Sequence, residues 1–458
     1  MSAQGLARAA ERMTQAGLPR LAIDVFSDYY HQLEQGRTGL IGEDTITPIT
    51  QVDDLADAEF SAEEQARALS QTVFIRLNGG LGTSMGMDRA KSLLPVRDGL
   101  SFLDIIVRQL QAVRASTGVQ APLILMNSFR TRDDSLELLS GYPRLNPDGI
   151  PADFCQHREP KLLVDSLEPV DWPADPELEW CPPGHGDIYV ALQTTGILDA
   201  LIAGGYRYAN TANADNLGAA PDGRLAAWFA ASGAPYSPEV CLRTPADRKG
   251  GHLAIRTSDG RMILRDTAQT PEADMRWFTD EHRHRFFHTN NLWFDLVALR
   301  DALAARGGLP GLPLIRNRKH VDPSDPASPE VFQIESALGA IVEVFDGARP
   351  VLVPRERFLP VKTTDDLALM RSDVYELGAD YRLRRRTEST PLVRLDPQHY
   401  KLIADFEARF PSGVPSLREA TSLTVQGDWT FGAGVVARGD VVLGPTTRPM
   451  RVEDGARL

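Results

Sequence analysis

The sequence predicts an α/β protein built on a mixed, mostly parallel sheet with helices packed against it. Two apolar segments, 72-TVFIRL-77 and 122-PLILMNS-128, have the composition of buried strands. Between them, Ser101 and Asp104 have the spacing of a capping box, which marks the start of a helix. A strand, a crossover helix and a second strand in this order form a parallel unit. The later segment 206-YRYANTAN-213 indicates that the sheet continues.

The segments on either side of this core follow other patterns. Near the N-terminus, Leu6, Ala9 and Met13 recur at helical spacing, so we expect a helical N-terminal region before the first core strand. Beyond the core, the composition changes again and indicates a separate C-terminal domain. The expected division is residues 1–70, 71–365 and 366–458.

The C-terminal part of the chain alternates short apolar pairs with glycine turns. In 423-LTVQGDWTFGAGVVARGDVVLG-444, Val425 and Phe431 are six residues apart, as are Val436 and Val442. This spacing is typical of the coils of a parallel β-helix, but a plain β-meander fits the same segment about equally well.

Charge and composition exclude several classes of function. The chain has 458 residues, with 49 Lys plus Arg against 62 Asp plus Glu, which gives a net charge of -13. Such acidity argues against nucleic acid as a partner, because that affinity depends on neutralised phosphates. The apolar runs are too short to span a bilayer, the N-terminus has no secretory apolar core, and the cysteines form no disulfide framework. We therefore expect a cytoplasmic protein with no membrane partner, in which a few lysines can still bind a small polyanion.

A glycine-rich loop, 77-LNGGLGTSMGMDRAKS-92, follows the first core strand and looks like a phosphate cradle. It lacks the dinucleotide fingerprint, because Gly86 comes one position late after Gly80 and Gly82. It also lacks a Walker motif, because Lys91 lies well beyond the glycines. Glycines allow backbone amides to face an anion, and a lysine adds a point charge. The combination favours a triphosphate ligand; the alternative is a purely structural glycine turn.

Together with this loop, further segments resemble, in the same order, the motifs of the eukaryotic-type UDP-glucose pyrophosphorylases, also called UTP–glucose-1-phosphate uridylyltransferases. These segments are 123-LILMNSF-129, 182-PPGHGDIY-189, 213-NADNLGA-219, 249-KGGHL-253, 287-FHTNNLW-293, 333-QIESALGA-340 and 356-ERFLPVKTTDDL-367. The resemblance implies a Rossmann-like nucleotidyltransferase core, a helical N-terminal region and a C-terminal left-handed parallel β-helix.

The resemblance also implies a reaction. A phosphate oxygen of glucose-1-phosphate would attack the α-phosphorus of Mg²⁺-bound UTP in line, giving UDP-glucose and pyrophosphate. Two alternatives remain at this point: a UDP-sugar pyrophosphorylase with a broader sugar range, and a non-catalytic sensor of sugar nucleotides. A homo-oligomer is possible for a chain of this kind.

Candidate site residues follow from the matching motifs, position by position. The candidate catalytic residues are Lys91, Lys249 and Lys362. The candidate UTP-binding residues are Leu77, Asn78, Gly79, Gly80, Gly82, Thr83, Gln156, Gly184, His185, Asn213 and Asp215, with Gln156 and Gly184 at the uracil edge. The candidate sugar-phosphate-binding residues are His185, Asn213, Gly250, Gly251, Asp266, Asn290 and Lys362.

One carboxylate is the candidate ligand for Mg²⁺, the expected cofactor. Such an ion needs only one or two carboxylates when phosphates and water complete its coordination. Asp215 lies at the predicted end of a strand, where ligands of such sheets bind, and an N-cap role is its alternative. Asp187, in the 182–189 motif, is expected either to support the site from behind or to cap a turn.

Four positions depart from the family pattern. Arg89 and Ala90 stand where Gly-Pro is usual before the lysine, which predicts a changed grip on the triphosphate. Asp266 takes the place of a glutamate near the glucose, which predicts a less strict glucose preference. His288 stands where asparagine is usual.

Overall fold

The computed structural model describes residues 2–244, 247 and 250–458. Its helices are α1 (Ser2–Gln15), α2 (Arg20–Glu34), α3 (Ala62–Ser70), α4 (Phe102–Thr117), α5 (Arg132–Ser140), α6 (Ile188–Thr194), α7 (Ile197–Ala203), α8 (Gly223–Ser232), α9 (Met275–Phe278), α10 (Leu296–Ala304), α11 (Thr364–Arg371), α12 (Pro397–Tyr400) and α13 (Ile403–Arg409).

The strands are mostly short. They are β1 (Ile46–Pro48), β2 (Asp53–Asp54), β3 (Thr72–Asn78), β4 (Pro95–Arg97), β5 (Leu100–Ser101), β6 (Leu123–Asn127), β7 (Asp153–Cys155), β8 (Glu159–Pro160), β9 (Leu162–Leu163), β10 (Trp180–Cys181), β11 (Tyr208–Asn213), β12 (Tyr236–Leu242), β13 (His252–Arg256), β14 (Met262–Arg265), β15 (Phe286–Asp295), β16 (Ile315–His320), β17 (Glu330–Glu335), β18 (Val351–Leu352), β19 (Tyr375–Leu377), β20 (Leu383–Arg385), β21 (Leu392–Leu395), β22 (Ser416–Val425), β23 (Trp429–Phe431), β24 (Val436–Leu443) and β25 (Met450–Val452).

One large sheet dominates the fold, with the strands β2, β18, β12, β15, β11, β3, β6 and β7 side by side in that order. Strands β11, β3, β6 and β7 are parallel neighbours, and so are β12, β18 and β2. The long strand β15 lies antiparallel between β12 and β11, and β13 branches from it toward β14 and β1. The predicted mixed, mostly parallel sheet is confirmed.

Helices cover both faces of this sheet, which explains the unbroken apolar composition of its central strands. In β3, Phe74 lies in one core together with Leu103 and Leu110 of α4. Its neighbours Val73 and Ile75 lie in the opposite core, with residues of α6, α7 and α10. The two cores hold β3 rigidly, and the glycine loop begins where this strand ends.

The predicted capping box fixes the start of the crossover helix α4. The Ser101 hydroxyl accepts from the Asp104 amide at 3.1 Å, and the Ser101 amide donates to Asp104 Oδ2 at 3.0 Å. Because α4 connects β3 to its parallel neighbour β6 through the β4–β5 hairpin, this cap sets where the loop after β3 returns to the sheet.

The N-terminal helices are confirmed, but residues 1–70 are not helical throughout. Helices α1 and α2 pack through Met13 and Phe26 against Phe332 and Ile334 in the small sheet of β16, β17 and β9. After them, β1 and β2 join the large sheet by pairing with β13 and β18.

The last five strands, β21 to β25, pair in parallel in the C-terminal part of the chain. Strands β21, β22 and β24 are parallel, as are β23 and β25, whereas the hairpins of a meander would be antiparallel. The predicted register of the second repeat is wrong by one residue. Val442 is 64% exposed, and the buried residues six apart are Val435 and Val441. Within the described ranges, no helix combines the length and the apolar character needed to cross a membrane.

Candidate active site

Four strand ends place the candidate nucleotide-binding segments side by side. Asn213 pairs with Leu77 across β11 and β3, Asn78 pairs with Asn127 across β3 and β6, and Asn127 pairs with Cys155 across β6 and β7. Neighbouring strands are about 4.8 Å apart. The glycine loop, the aspartate loop after β11 and the loop after β7 therefore leave the same edge of the sheet.

The glycine loop does not continue into a helix. Two left-handed glycines, Gly82 (φ 69°) and Gly86 (φ 74°), bracket a short 3-10 turn, and the Lys91 amide then donates to the Gly80 carbonyl at 3.0 Å. This closure brings Lys91 back over the glycines, since a Cβ on Gly82 would lie 3.5 Å from Lys91 Cβ. The wide separation of lysine and glycines in the sequence therefore spans one closed loop.

A largely buried carboxylate and two lysines form the charged centre of the site. Lys91 Nζ donates to Asp215 Oδ2 at 2.7 Å, and Lys362 Nζ donates to the same oxygen at 2.9 Å. Lys91 also donates to the Val361 carbonyl. Burial by itself would raise the pKa of Asp215, but the charges of Lys362 and Lys91 hold that pKa below its ordinary value. Two cations thus meet one anion, and a net positive charge remains for a polyanionic ligand.

A buried network, which sequence reasoning missed, holds the segment that carries Lys362. Arg357 donates two hydrogen bonds to Glu239, at 2.7 and 2.9 Å, and both side chains are buried. Asn216 donates to the Arg357 carbonyl at 3.1 Å and accepts from the Leu359 amide at 2.8 Å. The aspartate loop and the lysine segment are therefore fixed to each other. The one signal in the sequence was Arg357 itself, which lies in a segment that matches a family motif.

His185 lies on the turn that begins at Gly184. Its Nδ1 accepts from the Leu338 amide at 2.8 Å, so the ring proton of the neutral imidazole lies on Nε2. Burial, together with the charge of Lys362, lowers the pKa of His185 to about 4. The ring is therefore a neutral donor near pH 7. Gly184 has φ 78°, and a Cβ there would lie 2.6 Å from the Ser336 carbonyl oxygen, so only glycine fits.

The predicted sugar-side glycines lie beside β13 and β14. A Cβ on Gly250 would overlap the Phe287 ring, and a Cβ on Gly251 would lie 2.9 Å from Asp266 Oδ1. Burial raises the pKa of Asp266. These residues form a close-packed corner in which backbone, rather than side chains, faces the carboxylate. Lys249, the third predicted lysine, lies outside the described residues.

Asn213, the last residue of β11, and Asn290, in the middle of β15, are brought together. Asn290 Nδ2 donates to Asn213 Oδ1 at 3.2 Å. Asn290 also has a left-handed φ of 63°, which is uncommon outside glycine and occurs at functional sites whose surroundings impose it. Here His288 Nδ1 accepts from the Asn290 amide at 3.3 Å, and burial lowers the pKa of His288 to about 3.

Two residues of the glycine loop have partners within the fold. The Asn78 side chain donates to Asn127 Oδ1 at 2.7 Å and to Ser135 Oγ at 2.8 Å, so it joins two strands and α5. Arg89 pairs with Asp134 of α5 at 3.2 Å, and 59% of its side chain is exposed. Asn78 therefore offers its backbone, and not its side chain, to a nucleotide, and Arg89 is bound by α5 rather than by the charged centre.

Comparison with known proteins decides the family. The profile of the family described as UTP–glucose-1-phosphate uridylyltransferase matches residues 23–438. A UTP–glucose-1-phosphate uridylyltransferase from Solanum tuberosum is 38% identical over 410 residues, which are 88% of this chain and 83% of the relative. The chain belongs to this family. Another member, from Saccharomyces cerevisiae, is 39% identical over 383 residues, which are 83% of this chain and 75% of the relative.

Solved structures of UDP-glucose pyrophosphorylases have the same fold. A mutant of the Leishmania major protein in complex with UDP-glucose is 40% identical, with a TM-score of 0.93 over 99% of this chain and 98% of that chain. A UDP-glucose phosphorylase from Trypanosoma brucei is 41% identical, with the same TM-score of 0.93 and the same coverage.

Within this uridylyltransferase family, two of the departures in the chain have local explanations. The His288 ring accepts from the amide two residues on, a hydrogen bond that an asparagine side chain can also make in an Asx turn. Asp266 forms a capping box with Gln269 at a 3-10 turn, and aspartate is a preferred N-cap, whereas glutamate is not.

Proposed function

We propose that this chain is a UTP:glucose-1-phosphate uridylyltransferase, which joins UTP and glucose-1-phosphate into UDP-glucose and releases pyrophosphate. The observation that carries the proposal is the Lys91–Asp215–Lys362 centre beside the closed glycine loop, in a chain of this family. A protein that only sensed sugar nucleotides would not need two lysines converging on one buried carboxylate.

The chemistry that this centre suits is the meeting of two polyanions. The sugar phosphate attacks the α-phosphorus in line, and the pyrophosphate leaves on the opposite side. Lys91, which closes the glycine loop, is placed for the phosphates of UTP. Lys362 comes from a remote segment and can contact the incoming phosphate as well. Positioning and charge neutralisation of this kind stabilise the transition state without a covalent protein intermediate.

Mg²⁺ is the cofactor that we propose, with Asp215 as its protein ligand. Within the described part of the chain, no three His, Cys, Asp or Glu side chains cluster as a ready-made metal site. A single carboxylate suits Mg²⁺, which keeps several waters and takes phosphate oxygens as ligands. When bound, the ion would offset part of the charge of the phosphates.

We propose that the neutral side chains of the site bind the sugar hydroxyls and the uracil of the substrates. His185 would donate from Nε2 to a phosphate or sugar oxygen without adding charge. Asn213 and Asn290 would bond ribose or glucose hydroxyls, and Gln156 with Gly184 would contact the uracil edge. Gly250, Gly251 and Asp266 would form the glucose corner, together with Lys249.

The assay that tests the function measures pyrophosphate release by the pure protein with Mg²⁺, UTP and a panel of sugar-1-phosphates. We expect turnover with glucose-1-phosphate and slower turnover with galactose-1-phosphate. No turnover with any sugar would contradict the enzyme proposal and favour the sensor. Equal rates with both sugars would favour the UDP-sugar pyrophosphorylase with a broader range.

Three finer features complete the proposal. The parallel pairing of β22 with β24 and of β23 with β25 supports a parallel β-helix within residues 366–458, and its left hand stays a prediction. Assembly into a homo-oligomer and a cytoplasmic location also remain predictions. Sedimentation of the pure protein and imaging of the tagged full-length chain, respectively, test them.

A further inference from the structure

The candidate uracil-edge residues lie on two separate loops. Gln156 directly follows β7, and Gly184 begins the turn that leads into α6. A Cβ on Gly79 would lie 2.7 Å from Gln156 Nε2, so the glutamine amide lies against the glycine loop. An amide can discriminate between bases only when supporting contacts fix its position. The contacts that fix the Gln156 loop to the Gly184 loop therefore affect which base the site binds.

A buried pair, His157 and Asp187, joins these two loops. The His157 amide donates to Asp187 Oδ2 at 2.6 Å, and His157 Nδ1 lies 2.8 Å from Asp187 Oδ1. His157 is 8% exposed and Asp187 is 5% exposed. The Asp187 carboxylate, on the turn that begins at Gly184, thus holds both the backbone and the ring of His157, the residue next to Gln156.

Helix α6 adds a third contact to this pair. Thr194 Oγ1, at the last residue of α6, lies 3.0 Å from His157 Nε2. Because a carboxylate has no proton to give, Nδ1 donates to Asp187, and the Thr194 hydroxyl is the partner of Nε2. The imidazole is therefore held at both nitrogens, and it cannot rotate without losing a buried hydrogen bond.

We propose that His157 and Asp187 are positioning residues that set the base selectivity of the nucleotide site. Neither would touch the nucleotide. They hold Gln156 in one place relative to Gly184, so that its amide meets the carbonyl and imide N–H of uracil. The amino group and bare ring nitrogen of cytosine present the opposite pattern of donor and acceptor. This inference rests on the proposed function and specifies how that site would select a uridine nucleotide.

The size of the effect follows from geometry. A misplacement of about 1 Å near reacting or recognising groups can lower a rate by about 100-fold. Asp187→Leu keeps the size of the side chain and removes all its hydrogen bonds, so we expect kcat/KM for UTP to fall by about 10- to 100-fold. The preference for UTP over CTP should fall with it, whereas KM for glucose-1-phosphate should not change.

The matched variant is Asp187→Asn. Asparagine can accept from the His157 amide through its oxygen and donate to Nδ1 through its nitrogen, once the ring moves its proton to Nε2. We therefore expect Asp187→Asn to retain nearly the UTP preference of the unaltered protein. Asp295→Ala is the control for stability alone, because Asp295 caps α10 and pairs with Arg207 at the opposite ends of the sheet strands.

The experiment measures kcat/KM with UTP and with CTP, and calorimetric binding of both nucleotides, for these variants and the unaltered protein. No activity or UTP binding in the unaltered protein would overturn the proposed function. If the unaltered protein is active, an unchanged UTP preference in folded Asp187→Leu would overturn only this inference. Equal losses in Asp187→Asn or in Asp295→Ala would also overturn it, because charge or stability would then be the cause.

A second variant decides the case in which Asp187→Leu does not fold. Thr194→Val removes one hydroxyl and keeps the shape of the side chain. Loss of one ordinary hydrogen bond corresponds to about a fivefold change, so we expect the preference for UTP over CTP to fall by about fivefold. A folded Thr194→Val protein with unchanged preference would refute the positioning role.

Discussion

Lys362→Met should remove most of the turnover and almost none of the stability. The Lys362 side chain is 56% exposed, although its amine lies 2.9 Å from Asp215. Solvent screens such a pair, and exposed ion pairs contribute only about 0.2–1 kcal/mol to the free energy of unfolding. Asp215 also keeps its bond to Lys91 at 2.7 Å. We therefore expect the melting temperature to fall by about 2–4 °C at most.

The expected loss of turnover is much larger, because the lysine would act on the transition state. Removing one preorganised group that stabilises developing charge lowers kcat by about 100- to 1,000-fold. In this site the charge is that of two phosphates brought together, and Lys362 is the cation on the side remote from the glycine loop. Its loss should affect kcat more than KM for UTP.

Lys91→Met provides the contrast. The Lys91 side chain is only 14% exposed, and it donates both to Asp215 and to the Val361 carbonyl. Removing Lys91 leaves the Val361 carbonyl without this donor and Asp215 with only the exposed Lys362, which lowers the free energy of unfolding by about 1–3 kcal/mol. We therefore expect Lys91→Met to lose stability as well as activity.

The assay combines pyrophosphate release at saturating substrates with thermal unfolding of each variant. Lys319→Met is the control, because Lys319 is an exposed lysine on β16, outside the site, and both measurements should stay at the level of the unaltered protein. A folded Lys362→Met protein that keeps turnover within about threefold of the unaltered protein would refute the reasoning from transition-state charge.

Three further predictions follow from the same geometry. Asp215→Asn frees both lysines and removes the metal ligand, so UTP should bind more tightly in EDTA while Mg²⁺-dependent turnover is lost; calorimetry showing weaker metal-free binding would contradict this. Gly79→Ala places a Cβ 2.7 Å from Gln156 Nε2, so KM for UTP should rise by about tenfold with KM for glucose-1-phosphate unchanged. Burial lowers the pKa of His288 to about 3, so the unfolded chain takes up a proton first as the pH falls below about 6.5. This costs about 1.4 kcal/mol of stability per pH unit until the folded pKa is reached, and urea unfolding of His288→Asn should lack that part of the slope.

The sequence predicted the centre of the fold well because local rules determined it. Apolar composition marked β3 and β6, and the capping spacing of Ser101 and Asp104 marked α4; each of these depends on residues close in the chain. The register of the C-terminal strands was wrong because the neighbours Val441 and Val442 are equally apolar. Only tertiary packing decides which of the two faces the core.

The candidate site divides in the same way. Motif positions brought Lys91, Asp215 and Lys362 into one prediction, and the structure places them in contact. The groups that hold these residues were not visible, because Glu239 and Arg357 are distant in the chain and charged residues are usually exposed. Their burial becomes evident only when β12 and the segment before Lys362 are adjacent.

The conformation of the glycine loop explains the unusual spacing of its glycines and lysine. In dinucleotide and Walker loops, a helix begins at the glycines, and its N-terminus supplies positive potential to the phosphates. Here the chain makes 3-10 turns after Gly82 and closes back on Gly80, so no helix faces that edge of the sheet from this loop. Side chains must then supply the potential. The lysine is delayed because it has to return over the loop, and the second lysine comes from a remote segment because one cation does not balance two polyanions. Asp215 accepts from both lysine amines through the same oxygen, Oδ2, and so holds both cations together at this edge of the sheet.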